Sequence, residues 1–200
     1  MRYVTATFLA VLTMAFAAQA AALDKYMIDK PHTNVGFSVK HMVITNVKGN
    51  FGEFDGHIMF DENDMTKMSA KGTINVATID TGNEQRDNHL RSEDFFHAEK
   101  YPTITFESKR VYKPEDEEGY VMVGDITIRG VTKEIEVPFE LVGMVTDPQG
   151  NTRIGLEAET KINRQDFGLA WGKVLETGGL VVGDEVKIEL DLQAVKQKEE

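Results

Sequence analysis

Apolar residues recur at every second position through most of this chain, and that period leaves a polypeptide little choice but the half-buried β-strand. Val35, Phe37 and Val39 alternate with Gly36, Ser38 and Lys40, and Phe54, Gly56, Ile58 and Phe60 alternate with Asp55, His57 and Met59. The pattern returns at Ile74 and Val76, at Ile104 and Phe106, at Gly124, Ile126 and Ile128, and at Ile135, Val137, Phe139 and Leu141. It closes with Ile154, Leu156, Ala158, Thr160 and Ile162, then Val186, Ile188, Leu190 and Leu192. Eight or so strands at short spacing, with tight turns such as Arg129-Gly130, predict an all-β, antiparallel barrel or sandwich. Gly36, Gly52, Gly56, Gly72, Gly124 and Gly143 favour the barrel, because glycines inside strands mark bulges and bends.

One stretch breaks the period. Asn83 to Phe96 lacks alternation, and Asp87 and Arg91 stand at the i,i+4 spacing of a helical ion pair. Ser92 followed by Glu93 and Asp94 has the look of a second helix start. The expectation is a short helical segment near residues 83–96 lying across one mouth of the barrel. The acidic run Lys113 to Glu118 reads as a solvated hairpin loop.

The first residues read as a targeting segment. Arg2 precedes an apolar run from Val4 to Ala17, and Ala18-Gln19-Ala20 predicts cleavage after Ala20, with Ala20-Ala21-Ala22 allowing it after Ala22. The run is shorter than the about 20 apolar residues that span a bilayer, and none of that length follows. Residues 1–20 are therefore expected to be a signal peptide and 21–200 a single barrel domain, dissolved in the periplasm without stable membrane insertion. With no cysteine, an exported chain has neither disulfides nor a thiol nucleophile, and its stability must come from the core. Removing Arg2 leaves 21 Lys and Arg against 33 Asp and Glu, net −12, which argues against nucleic acid as a partner and against the chain as a whole lying on an anionic membrane.

A barrel of this size is either filled by side chains or holds one small ligand. If the apolar faces point inward, the candidate pocket wall is Phe37, Val39, Phe54, Ile58, Ile74, Val76, Phe106, Ile126, Ile128, Phe139, Phe167 and Trp171. His32, His41, His57, His89 and His97 show no metal-ligand spacing, no G-x-S-x-G elbow occurs, and the methionines do not cluster. No metal and no required cofactor are expected. The polar cluster Arg86, Asp87, His89 and Arg91 allows two readings. It fixes the short helix as a lid and meets the polar end of a ligand, or His89 serves as an acid/base oriented by Asp87 or Glu93.

Several stretches resemble the YceI family: "IDKPHTNVGFSVKH" (Ile28 to His41), "GNFGEFDG" (Gly49 to Gly56), Gln85 to Ser92, "KYPTITFES" (Lys100 to Ser108), "GDITIRGVTKEI" (Gly124 to Ile135) and "INRQDFGL" (Ile162 to Leu169). In this order they cover nearly the whole of the expected mature chain. The resemblance implies a periplasmic, lipocalin-like antiparallel barrel of about eight strands that binds an isoprenoid lipid or isoprenoid quinone, and it carries no catalytic residues to transfer. Three functions follow as expectations: a lipid carrier, store or sensor; an enzyme acting on an isoprenoid through His89; or a packed barrel without ligand. A homodimer is left open.

Overall fold

The computed structural model describes residues 23–115, 118–173 and 180–198. The expected signal segment and its cleavage points lie outside the described residues, as do Asp116 and Glu117 of the acidic loop. The strands are β1 (Asp24–Ile28), β2 (Asn34–His41), β3 (Thr45–Phe51), β4 (Phe54–Phe60), β5 (Ser69–Asn75), β6 (Ile79–Asp80), β7 (Thr103–Tyr112), β8 (Tyr120–Ile128), β9 (Val131–Thr146), β10 (Thr152–Asn163) and β11 (Val182–Lys196). One helix, α1 (Glu84–Arg91), joins β6 to β7.

Eight of these strands close a ring in the order β1-β4-β5-β7-β8-β9-β10-β11, with β11 returning to β1. The other three continue the paths of ring strands. β11 pairs through Ala194 with Ile28 of β1 and through Asp191 with Asn34 of β2, so β1 and β2 are two halves of one bent strand. The bend is a 3-10 turn at Lys30–His32, where Pro31 has no N–H to give to a ladder. β3 and β4 are likewise split at Gly52-Glu53, and β5 and β6 by a turn at Val76–Thr78 that the Asn75 side chain caps. The result is the expected closed antiparallel barrel of eight strands with one short helix.

Antiparallel order puts alternate connections at opposite ends. The Met42–Ile44 turn, α1, Arg129-Gly130 and the Arg164–Phe167 turn share the lid end, while both termini of the barrel lie toward the base. Arg129 and Gly130 have φ of 49° and 75°, the left-handed pair that a two-residue hairpin turn requires. Glycine is also needed there because a Cβ would stand 2.7 Å from the Tyr101 ring.

Each end is stoppered by its own apolar cluster. Tyr26, Phe60, Met68 and Ile154 fill the base, where the Tyr26 and Phe60 rings meet edge to face at 5.7 Å. Val76, Ile79, Phe95, Phe167 and Leu169 fill the lid end beneath α1. β8 stops pairing at Tyr120, opposite Phe139, and among the described residues no strand pairs with residues 140–146 of β9 on that edge. Val142 and Val145 stand exposed along it.

Helix α1 starts where the break in alternation placed it, with the Asn83 side chain accepting from the Arg86 N–H at 2.9 Å. It ends sooner than the expected 83–96. Ser92 does not begin a second helix, since its hydroxyl donates to the His89 carbonyl at 2.7 Å and closes the first. Residues 93–96 follow as turns, which bring Phe95 down into the lid-end core.

Candidate ligand-binding site

Between the two stoppers lies an apolar cavity of about 220 Å³. Phe37, Phe54, Ile58, Ile74, Phe106, Ile126, Ile128 and Phe139 all line it. Several of these point inward yet are only half buried, as are Ile135, Val137, Ile188, Leu190 and Leu192 on the facing strands. An inward side chain of a closed barrel keeps accessible surface only if there is space inside. The lumen is therefore not packed solid.

A smaller apolar chamber of about 110 Å³ lies directly under the lid, lined by Val39, Leu90, Phe95, Phe96, Phe167 and Val186 among others. Phe37, Phe51, Ile104, Ile128 and Ile188 border both spaces. Phe37 and Phe51, with ring centroids 5.8 Å apart, form the aromatic part of the partition. The Phe37 ring lies where a side chain at Gly49 would otherwise be, because a Cβ there would come within 2.6 Å of it. Gly49 thus lets a large ring lie flat against the neighbouring strand.

Two of the expected wall residues line neither space. Val76 is buried in the lid-end core on the 3-10 turn, where the strand period no longer sets its direction. Trp171 packs half-buried against the lid-end core, its ring edge to face with His89 at 5.0 Å and tilted against Phe95 at 5.2 Å. The period-two pattern did reach the residues missed on β9, β10 and β11, such as Val137, Leu156, Ile188 and Leu190, and inward direction was the only information lacking.

The polar cluster is brought together, but its members do not pair as their spacing suggested. Asp87 is buried and accepts from the Thr81 N–H at 3.0 Å and from the Thr81 hydroxyl. Arg86 donates to the Thr81 hydroxyl at 2.7 Å and to the Thr81 carbonyl at 2.8 Å. Arg91 donates to the carbonyls of Ala77 and Ile79 and to the Asn88 side chain, not to Asp87. His89 is oriented by Asp94 at 3.0 Å, not by Asp87 or Glu93. None of the four lines either apolar space. What they do is fasten α1 across the barrel, with two guanidinium groups spent on backbone carbonyls.

Arg164, buried where Arg86 and Arg91 are only half buried, does similar work. Arg164 donates to the carbonyls of Gly183, Leu169 and Trp171 and to Asp184, pinning the crossing into β11 beside the lid. Among the described residues, no group of three or more His, Asp or Glu side chains is placed to hold a metal ion.

Residues 26–194 match the model of the YceI-like domain. The chain belongs to the YceI-like family. A UPF0312 protein of Staphylococcus epidermidis is 38% identical to it over 168 residues, 84% of this chain and 95% of that one. The Campylobacter jejuni YceI protein superposes with a TM-score of 0.67 at 38% identity, over 86% of this chain and 96% of that one. A polyisoprenoid binding domain from Saccharophagus degradans, at 14% identity, shares the YceI-like fold with a TM-score of 0.62 over 88% of this chain and 99% of that one.

Proposed function

We propose that this YceI-like chain binds a long isoprenoid lipid or isoprenoid quinone in its barrel and serves as a periplasmic carrier, store or sensor, exported by its N-terminal segment. The observation that carries the proposal is the cavity between the two stoppers, whose inward side chains keep free apolar surface. The binding named for the Saccharophagus degradans domain, which shares the fold, supports the choice of ligand class.

Tail burial dominates the energetics. Each CH₂-sized group is worth roughly 0.8 kcal/mol, so about twenty give a gross ~16 kcal/mol. Association and ordering cost ~4–15 kcal/mol, which leaves useful affinity with few polar contacts. Neither apolar space alone reaches the roughly 300–1,000 Å³ usual for small-molecule sites, and only the two together enter the lower end of that range. A long chain therefore needs the Phe37–Phe51 partition to swing aside and join them.

The lid favours a neutral quinone head over a pyrophosphate. Arg86 and Arg91 already serve backbone carbonyls, so neither guanidinium is at hand to bind a dianion. Titrating the protein with a long-chain quinone and with a polyprenyl pyrophosphate, and following the melting temperature, tests both points. Saturation at about 100 times Kd adds roughly 2.7 kcal/mol. In a chain of this size that raises the melting point by roughly 5–10 °C. The quinone should give the larger shift, and no shift with either compound would remove the lipid-binding reading. For self-association, the edge of β9 at residues 140–146 is the surface that a second copy would pair with.

A further inference from the structure

The turn that joins β2 to β3 exposes three consecutive apolar side chains. Met42, Val43 and Ile44 are 42%, 60% and 84% accessible. The Ile44 N–H donates to the His41 carbonyl at 3.2 Å, and both central residues of the turn are left-handed, with φ of 49° at Met42 and 65° at Val43. Asn-Gly is the pair suited to such a turn, and a β-branched residue is among the worst. Strain of this kind persists where side-chain identity matters more than backbone comfort, and these side chains add nothing to either core.

The surroundings indicate what covers the tip. From Lys40 to Gly52 the chain carries Lys40, His41 and Lys48 and no acidic residue, a local cationic stretch in a protein of net charge −11. Lys40 and Lys48 are exposed on the strands flanking the tip; Lys48 lies within the field of Glu189 on β11, the strand beside β2, which leaves Lys40 as the cation nearest the tip. A convex apolar wedge with a basic shoulder matches an anionic bilayer surface, where apolar side chains enter the acyl boundary and cations meet headgroups. The tip also stands at the lid end, on the strand whose Val39 and Phe37 border the chamber under α1.

We propose that Met42, Val43 and Ile44 form a membrane-docking tip that sets the lid end of the barrel against an anionic lipid bilayer, so that an isoprenoid passes between bilayer and lumen without crossing water. The role in transfer rests on the lipid-binding reading; the docking itself does not.

The test uses the natively exported protein and the variant Met42→Asn/Val43→Gly/Ile44→Thr. Vesicles of phosphatidylethanolamine and phosphatidylglycerol without isoprenoid measure docking by flotation. The same vesicles loaded with a long-chain isoprenoid quinone measure transfer, by extraction of the protein fraction. Docking predicts vesicle binding that falls about tenfold or more in the variant, given the apolar burial lost. It further predicts slower quinone transfer with an unchanged end point, and a melting temperature equal to or above that of the parent, which rules out misfolding. Equal vesicle binding by parent and variant, or no binding by either, would overturn the docking tip. A variant that docks poorly beside a parent that docks but takes up no quinone would sustain the tip and sink the lipid-binding reading.

Discussion

Gly56 of β4 lies directly across the ladder from Gly72 of β5, so at that level two neighbouring strands place no side chain in the lumen. The two glycines are not equivalent. A Cβ at Gly56 would stand 2.6 Å from the Lys71 carbonyl oxygen, whereas one at Gly72 meets only the Asp55 carbonyl oxygen, at 3.7 Å. Gly56 is required by close backbone approach, and Gly72 is required only if the space beyond it has a use.

Gly72→Leu should therefore be tolerated by the fold and fatal to binding. Filling a cavity in this way commonly adds about 0.5–2 kcal/mol of stability. Gly56→Ala forces the backbone apart and should cost about 1–3 kcal/mol, as overpacking does. Thermal melts of the two variants should move in opposite directions, and a strongly destabilised Gly72→Leu protein would mean that the lumen is smaller than described.

Phe37→Ala removes most of the partition between the two apolar spaces. The ring is half buried, so the loss should fall near or below the about 3–5 kcal/mol typical of a fully buried Phe→Ala change. Longer isoprenoids should gain affinity relative to shorter ones in this variant. An unchanged chain-length preference in a competition assay would show that Phe37 does not divide the site.

The lid makes a different prediction. Arg91→Ala releases two backbone carbonyls and should cost about 1–3 kcal/mol, with faster ligand release as α1 loosens. His89→Gln should leave ligand affinity nearly intact, because His89 lines neither apolar space. Loss of a chemical turnover in His89→Gln, with binding retained, would instead favour an isoprenoid-processing enzyme.

Acid sensitivity should trace to the base of the barrel. Asp147 accepts from the backbone N–H groups of Asn151 and Gln149 and from Arg153, and these bonds hold its carboxyl at about 2, below the ordinary 3.8. A carboxyl lowered by folding stabilises the native state above its unfolded value, and that contribution is lost as pH falls through the folded value. The melting temperature should thus decline from about pH 4 down to pH 2 partly on account of Asp147. Asp147→Asn should flatten that part of the pH profile; an identical slope in the variant would assign the acid loss to other carboxyls.

Much of this was legible in the sequence because a closed antiparallel barrel writes its register as a period of two. Phe54 and Ile58, or Ile126 and Ile128, could be assigned to one face from spacing alone, and that face is the lumen. The period fails wherever a strand bends: it places Val76 on the wall, whereas the 3-10 turn carries that side chain into the lid-end core. The polar cluster shows a second limit. Spacing on a helix tells which side chains can meet, as Asp87 and Arg91 can, but not whether a better partner waits on another element. Thr81, Ala77 and Ile79 supplied those partners, and all three precede the helix. Ser92 followed the same logic, capping the helix behind it rather than starting one ahead.

Solvent extraction of natively purified protein and of its Gly72→Leu variant, each followed by mass spectrometry, tests lipid binding in the lumen most directly. The expected result is a near-stoichiometric isoprenoid lipid or quinone from the parent and none from the equally folded variant. No isoprenoid from repeated preparations of the parent, or the same amount from both proteins, would contradict a ligand held in the barrel.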